Sequence, residues 1–178
     1  MRAEVRMMRA FNYFYLMDMF GNPPFYTTVS MAAPTQHPQG RAGLYQWILD
    51  EFLACEQTLP TAAEMSGHQR IYRFNQDAAT MMIARMYHNE KVYTGNEDWD
   101  NALAYAEKIM NKYPLAPTYA HLFMGDNDNN DAVDEIIFSI ALDGVQTESW
   151  GASAFLVSGS RGGSMPYAGT TNNWECWR

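Results

Sequence analysis

Apolar residues recur at spacings of three and four along residues 75–114, and this pattern predicts two antiparallel helices. We expect the turn between them at residues 95–98 (GNED). Pro114 is expected to end the second helix, because proline lacks an amide donor and clashes with the preceding turn. The apolar stripes consist of Ala78, Ala79, Met82, Ile83, Met86 and Tyr87 in the first helix and of Ala102, Leu103, Ala106, Ile109, Met110 and Tyr113 in the second.

This hairpin shows part of the pattern of a tetratricopeptide unit. Ala102 and Pro114 have the separation of the alanine that opens the second helix of such a unit and its closing proline, and Gly95 stands at the bend. One unit is not an array, however, and any helical hairpin needs small residues where its helices cross. A repeat-type scaffold and a generic helix pair therefore both remain open at this point.

A helix is also predicted over residues 2–20, and it is apolar nearly all round from residue 11 onwards. Such a helix must be covered on most of its sides by other elements. Its polar stripe consists of Arg2, Arg6 and Arg9, which form either a solvated face or partners for nearby carboxylates. Because this helix and the terminal Trp174 and Trp177 need surfaces to pack on, we expect further polypeptide before residue 1 and after residue 178.

A further helix is predicted over residues 43–59, closed by Pro60, with Asp50, Glu51 and Glu56 outside its apolar face. That face consists of Leu44, Ile48, Phe52, Cys55 and Leu59. Residues 25–29 are prone to form a short strand, and branched side chains predict a short, mostly buried strand over residues 136–142.

Composition and charge exclude several classes of protein. With 178 residues and 47% apolar residues, the chain is long enough for one domain with a real core and is not a disordered chain. A net charge of −8 with scattered basic residues argues against a nucleic-acid partner. No apolar run reaches the length of a membrane span, and the two cysteines lack metal-ligand spacing. No signal peptide is visible, so the chain is either cytosolic or a segment of a longer protein.

Several segments resemble, in order, the landmarks of the SusD/RagB family, the surface glycan-binding lipoproteins of Bacteroidetes-type bacteria. The match begins with residues 4–14 (EVRMMRAFNYF) and 19–24 (MFGNPP), and it extends to about residue 144. The later landmarks are residues 48–52 (ILDEF) with 59–60 (LP), 78–87 (AATMMIARMY), 99–102 (WDNA) with 113–115 (YPL), 119–123 (YAHLF), 127–130 (NDNN) and 135–138 (EIIF).

The resemblance implies a mainly α fold of tetratricopeptide-like helical hairpins with long loops and a few short strands. Residues 1–144 would form this scaffold, as the central part of a longer protein, since the lipid-bearing N-terminal cysteine of the family is absent. The implied function is non-catalytic binding of an oligosaccharide or polysaccharide at the outer membrane. The implied partner is a SusC-like TonB-dependent transporter. The alternative is a helical repeat scaffold that binds a peptide or protein.

Residues 145–178 read as a long loop region, rich in glycine, serine, threonine and asparagine with aromatic residues among them. A sugar stacks its apolar face on an aromatic plane and needs paired donors and acceptors for its hydroxyls. The candidate glycan-binding residues are therefore Trp150, Arg161, Tyr167, Asn172, Asn173, Trp174 and Trp177. For each aromatic residue separately, structural packing is the competing interpretation.

Patterns typical of enzymes and metal sites are incomplete. Residues 151–155 (GASAF) lack the final glycine of a nucleophile elbow, and residues 159–164 (GSRGGS) lack the lysine of a phosphate loop. The pair Glu148 and Glu175 has no support as glycosidase carboxylates. Residues 126–131 (DNDNND) resemble a calcium loop but lack its glycine and its terminal glutamate, which favours a solvated turn. We expect no enzymatic activity, no cofactor and no metal.

Overall fold

The computed structural model describes residues 1–29 and 35–141, and this part of the chain is mainly α-helical, as the sequence predicts. No strand forms within it, apart from an isolated antiparallel bridge between Pro24 and Gln36. Short 3-10 helices cover Ala62–Glu64 and Tyr119–Phe123. The α-helices are α1 (Arg2–Phe20), α2 (Gly40–Glu56), α3 (Gln69–Tyr72), α4 (Gln76–His88), α5 (Glu90–Thr94) and α6 (Trp99–Ile109).

Helix α1 has the predicted bounds and packs against α2. Its inner face is fully buried and consists of Met7, Ala10, Phe14 and Met17. The helix ends at Gly21, whose φ of 76° is unfavourable for residues with a side chain. The Gly21 amide donates to the carbonyl oxygen of Met17 at 2.9 Å, which satisfies one of the free carbonyls of the last turn.

Helix α2 lies at the centre of the fold, because α1 and α4 both pack against it. It begins and ends three residues earlier than predicted, but its apolar face is the predicted one. Every residue of that face is buried, including Leu59 beyond the end of the helix. Pro60 therefore does not end the helix directly, because a short turn separates it from the last helical residue.

The prediction that Glu56 lies outside the buried face is wrong. Its carboxylate is buried, and Oε1 accepts a hydrogen bond of 2.7 Å from Oγ1 of Thr80 in α4. The Lys108 ammonium of α6 lies 3.5 Å from the same oxygen. A buried carboxylate needs such partners, so Glu56 links three helices that periodicity alone treats separately.

Two of the three arginines in the stripe of α1, Arg6 and Arg9, pair with a carboxylate of α2, which is one of the two predicted alternatives. Arg6 donates to both oxygens of Glu51, at 2.7 and 3.1 Å, and Arg9 donates to Oε2 at 3.1 Å. The hydrogen bonds from Arg6 lower the pKa of Glu51 below its ordinary value of 4.5, although burial opposes them. A bidentate arginine on a largely buried carboxylate fixes the register of the two helices.

We expect Glu51→Gln to lower the free energy of unfolding by about 1–2 kcal/mol at pH 7, because it removes charge-assisted hydrogen bonds. Since the pKa of Glu51 is lower in the folded state, its contribution is present above pH 4.5 and declines as the pH falls below that value. The difference between wild type and variant in urea unfolding should therefore shrink from pH 5 to pH 3. The exposed Glu107→Gln serves as control and should leave the difference near zero throughout.

The predicted helical hairpin is present, because α4 packs directly on α6. The short helix α5 lies between them in the sequence. Asn75 caps α4, because its Oδ1 accepts from the Ala78 amide at 2.8 Å, and Asp98 caps α6 in the same way. Gly95 adopts φ 86° at the predicted bend. Helix α6 ends at Ile109 and not at Pro114, because the backbone of Asn111 turns into the left-handed region at φ 68°.

The strand predicted from residue 136 is not formed over its described part, 136–141. This segment makes one backbone hydrogen bond to α3, from the Ser139 amide to the Ile71 carbonyl at 2.7 Å. Phe138 stacks on Phe74 with ring centroids 4.3 Å apart, and Ile137 also packs on the core. The segment is held by side-chain packing and lacks the neighbouring strand that a ladder requires.

The described helices belong to one compact unit, Met1–Ser139. Across the described ranges, no helix combines the length and the apolar character needed to cross a lipid bilayer.

Candidate functional site

The glycan-binding residues predicted from the sequence all lie outside the described residues. These are Trp150, Arg161, Tyr167, Asn172, Asn173, Trp174 and Trp177. The predicted boundary between a scaffold at 1–144 and a ligand face at 145–178 lies there as well. Both stay predictions. The part of the chain that the structure describes presents three surfaces of its own that can hold a ligand.

The first surface is an open polar pocket of about 410 Å³, here called the Tyr113 pocket. It lies where the start of α4 meets the residues after α6. Asn111 redirects the chain there, so that Lys112 and Tyr113 turn back towards Asp77 in the first turn of α4. The pocket is lined by Ala62, Ala63, Arg70, Asp77, Lys112, Tyr113, Pro114 and Asp134.

The charges of the Tyr113 pocket are paired. Asp77 accepts from the Lys112 ammonium at 2.8 Å and from the Tyr113 hydroxyl at 3.0 Å, and Arg70 lies 3.5 Å from Asp134. Burial and the hydrogen bond to Asp77 raise the pKa of Tyr113 to about 12, so its hydroxyl stays protonated at neutral pH. With balanced charges beside an aromatic ring, the pocket suits a neutral polar molecule better than an ion.

The second surface is an apolar groove of about 440 Å³ between α4 and α6, here called the Trp99 groove. Trp99 is half-exposed, and its ring meets His88 edge to face at 5.7 Å. His88 is exposed. The groove is lined by Met81, Ala84, Arg85, His88, Trp99, Ala102, Leu103 and Ala106.

The apolar stripe predicted on α6 is only partly buried. Ala102 and Ile109 are buried against α4, but Ala106 is exposed and Leu103 and Met110 are exposed to 61% and 62%. The cause is that α6 packs mainly on α4, so one side of its stripe lacks a covering layer among the described residues. Sequence periodicity shows that a face is apolar but not whether it is covered.

The third surface is a pair of exposed aromatic rings on the 3-10 helix Tyr119–Phe123. The two terminal residues of this helix are exposed to 75% and 72%, and their ring centroids lie 5.1 Å apart. An exposed aromatic plane can stack on the apolar face of a sugar ring. In the sequence, this segment was identified only through its resemblance to the SusD/RagB family and was not predicted as a binding site.

The acidic segment 126–131 forms consecutive turns, as predicted. Asn130 accepts from the Ala132 amide at 2.8 Å through its side chain, which is the geometry of an Asx turn. In the ranges that the structure describes, no three histidine, cysteine, aspartate or glutamate side chains converge on a position that could hold a metal ion.

Comparison with known proteins relates the chain to one family by sequence. No family model matches it. It is 39% identical, over 98% of its own length, to the starch-binding protein SusD of Bacteroides thetaiotaomicron, and it spans 31% of the length of that protein. The aligned region therefore extends beyond the described residues.

The fold agrees with solved structures of SusD-like proteins. A SusD-like carbohydrate-binding protein of Bacteroides fragilis matches 67% of this chain with a TM-score of 0.57 and 25% identity, and 23% of that chain is covered. A second SusD-like protein of Bacteroides fragilis matches 79% of this chain and 27% of its own, with a TM-score of 0.61 and 20% identity, and it supports the fold alone. The sequence identity and the helical architecture together support the resemblance of this chain to the SusD/RagB family.

Proposed function

We propose that this chain is part of a non-catalytic protein that binds an oligosaccharide or polysaccharide at the bacterial cell surface. The observation that carries the proposal is the 39% identity with a starch-binding protein over 98% of the chain. An α-glucan is therefore the first ligand to test. The proposal concerns the full-length protein, and the chain spans 31% of the length of SusD.

The architecture of the described residues supports this proposal physically. Three packed helices, α1, α2 and α4, form a rigid base with a continuous buried core. Binding sites are commonly built from loops carried on such a base. We place the principal glycan contacts in residues 145–178, where aromatic side chains stand among hydrogen-bonding ones.

The finer parts of the proposal concern partner and location. We infer delivery of the bound glycan to a SusC-like TonB-dependent transporter in the outer membrane, with the full-length protein held there by a lipid anchor. The family resemblance supports both inferences. Co-purification of the full-length protein with a transporter from solubilised outer membranes would support this partner, and its absence from that fraction would contradict it.

We expect the full-length protein to be retarded in native gels that contain amylopectin. Trp150→Ala, Trp174→Ala or Trp177→Ala should weaken this binding by about tenfold, since a lost stacking contact costs about 1–1.5 kcal/mol. Trp99→Ala is the matched control, because it also removes a tryptophan, in this case the half-exposed one in the Trp99 groove. It should leave the retardation unchanged.

Two further measurements delimit the result. Circular dichroism of each variant separates lost binding from lost folding. Incubation with the same glucan should release no reducing sugar, and release at an enzymatic rate would contradict a purely binding role. If all three tryptophan variants bind as tightly as wild type, residues 145–178 do not carry the principal contacts.

A helical scaffold for a peptide or protein is the second candidate, and the Trp99 groove is the observation that favours it. An apolar groove between two helices is a common way to bind an amphipathic helix. Under this alternative no member of a polysaccharide panel retards the protein, and Trp99→Ala weakens capture of the peptide partner instead. Retardation by a glycan that persists in Trp99→Ala would favour the first candidate.

A further inference from the structure

The Tyr113 pocket has the size and the construction of a small-molecule site. Its lining residues lie between positions 62 and 134, outside the segment 145–178 to which the principal glycan contacts are assigned. Its volume of about 410 Å³ falls within the range of roughly 300–1,000 Å³ that such sites occupy in proteins. The walls come from the first 3-10 helix, α3, the first turn of α4 and the residues after α6. Tertiary packing therefore fixes the shape of the pocket.

Hydrogen bonds hold the walls of the pocket in place. Arg70 donates to the carbonyl oxygen of Val133 at 3.1 Å and to that of Ile136 at 3.4 Å, which fixes its guanidinium at the edge of the pocket. On another side, the Glu64 carboxylate accepts from the amide and the hydroxyl of Thr61, at 2.8 and 2.9 Å, and so caps the 3-10 helix. Groups that are oriented before a ligand arrives lose little conformational entropy when it binds.

The charges of the pocket match the hydroxyl groups of a sugar. The lining contains two cations, Arg70 and Lys112, and two carboxylates, Asp77 and Asp134. The Lys112 ammonium and the Asp77 carboxylate form a donor and an acceptor 2.8 Å apart, and the ammonium keeps further N–H donors for a ligand. Neighbouring hydroxyls of a sugar ring can engage both groups at once, because one can donate to the carboxylate while the other accepts from the ammonium.

Tyr113 and two alanines supply the apolar part of the lining. The ring of Tyr113 is half-buried, and its hydroxyl donates to Asp77 at 3.0 Å, which restricts the orientation of the ring. Ala62 and Ala63 line the pocket with methyl groups and leave its space free. A sugar ring has an apolar C–H face that packs on aromatic and small apolar groups. The pocket therefore combines both kinds of contact that a sugar makes.

We propose that the Tyr113 pocket binds one hexose unit of a glycan, as a second saccharide site in addition to the contacts assigned to residues 145–178. The proposal rests on the proposed function, from which it takes the class of ligand. An ionic ligand would disturb the balance of two cations and two carboxylates, and an apolar one would leave these groups without partners. Two sites on one protein bind a long glycan chain at two points, so they hold a polymer more tightly than either site holds a short oligosaccharide.

Titration calorimetry of the full-length protein with maltotriose tests the pocket. Wild type should bind one maltotriose in the pocket and another at the principal site. Lys112→Met should lose the first of these, because it removes the ammonium from a side chain that is 52% exposed and so leaves the core intact. Lys91→Met is the matched control, since it removes an ammonium that is 65% exposed and lies 2.9 Å from a carboxylate, but in α5. It should keep both binding events.

Ala63→Phe is a second variant, which fills the pocket from an exposed position and removes no polar group. It should also lose the first binding event, and both pocket variants should weaken retardation by amylopectin at least about threefold through lost avidity. Equal maltotriose binding by wild type and both variants, including no binding by any of them, would overturn the pocket even if amylopectin retards the wild type. If amylopectin does not retard the wild type but maltotriose binding is lost in both variants, the pocket is supported and the principal site at 145–178 is contradicted.

Discussion

Phe14→Ala is expected to lower the free energy of unfolding by about 3–5 kcal/mol, which is the largest effect of any single substitution considered for this chain. The Phe14 ring is fully buried in the core cluster. The Arg85 guanidinium of α4 lies 5.1 Å from its centre, and the ring of Tyr93 in α5 lies 6.5 Å away. Removal of the ring therefore opens a cavity where three helices meet.

Guanidinium unfolding followed by far-ultraviolet circular dichroism measures this loss. Phe20→Ala is the matched control, because it removes the same ring from the last residue of the same helix, where it is exposed. The control should change the free energy of unfolding by less than about 0.5 kcal/mol. Similar losses in the two variants would show that the inner face of α1 does not carry the core.

Asn75→Ala is expected to lower the free energy of unfolding by about 2–3 kcal/mol, since it removes a helix cap and leaves buried groups unpaired. Asn75 is completely buried. Its Oδ1 accepts from the Ala78 amide at 2.8 Å, and its Nδ2 donates to the Arg70 carbonyl at 2.9 Å. One side chain therefore both starts α4 and ties it to α3.

Two variants test that interpretation of Asn75 in the same unfolding experiment. Asn75→Asp keeps the acceptor for the Ala78 amide but loses the donor to Arg70, so it should destabilise the protein even though the cap survives. Asp98→Ala removes the cap of α6, which is in contact with solvent. Its effect should be clearly smaller than that of Asn75→Ala, and an equal effect would contradict the role assigned to burial.

The inner helices could be predicted from the sequence because their apolar faces follow the period of the α-helix. The face of α2 is buried at every predicted position, and α1 has the predicted bounds. The glycine at the bend of the hairpin was also predicted, and its positive φ is a conformation that glycine adopts without strain. These features depend on residues that are close in sequence, so they can be predicted from a single sequence.

Other features depend on contacts between elements that are distant in sequence. Glu56 can be buried because Thr80 donates a hydrogen bond to it and Lys108 pairs with its charge. The residues near position 56 in the sequence do not indicate these partners. Residues 136–141 have the composition of a strand but no neighbouring strand in the described part of the chain, so packing against Phe74 holds them instead. Helix α6 ends before Pro114 because Asn111 adopts a left-handed backbone conformation. Asparagine can adopt this conformation, but its presence in the sequence does not predict it.

The described surfaces were harder to predict than the fold. Tyr113 was placed on the apolar stripe of the second helix, but the turn at Asn111 directs it to a polar pocket beside Asp77. Trp99 was a family landmark, and its position at the start of α6 after a polar turn was the available signal for exposure. An apolar helix face is buried if another element packs on it and forms an exposed groove if none does. The hydrophobic pattern of one helix does not show which of these occurs.

The shallow burial of α6 has a consequence for how the molecule opens. Only Ala102 and Ile109 of this helix are buried, whereas α1, α2 and α4 contribute most of the core. Detachment of α6 would therefore expose much less apolar surface than complete unfolding does, and we expect it to occur more often. We expect the amide hydrogens of α6 to exchange with solvent through local openings, and those of α2 to exchange only when the whole core is disrupted.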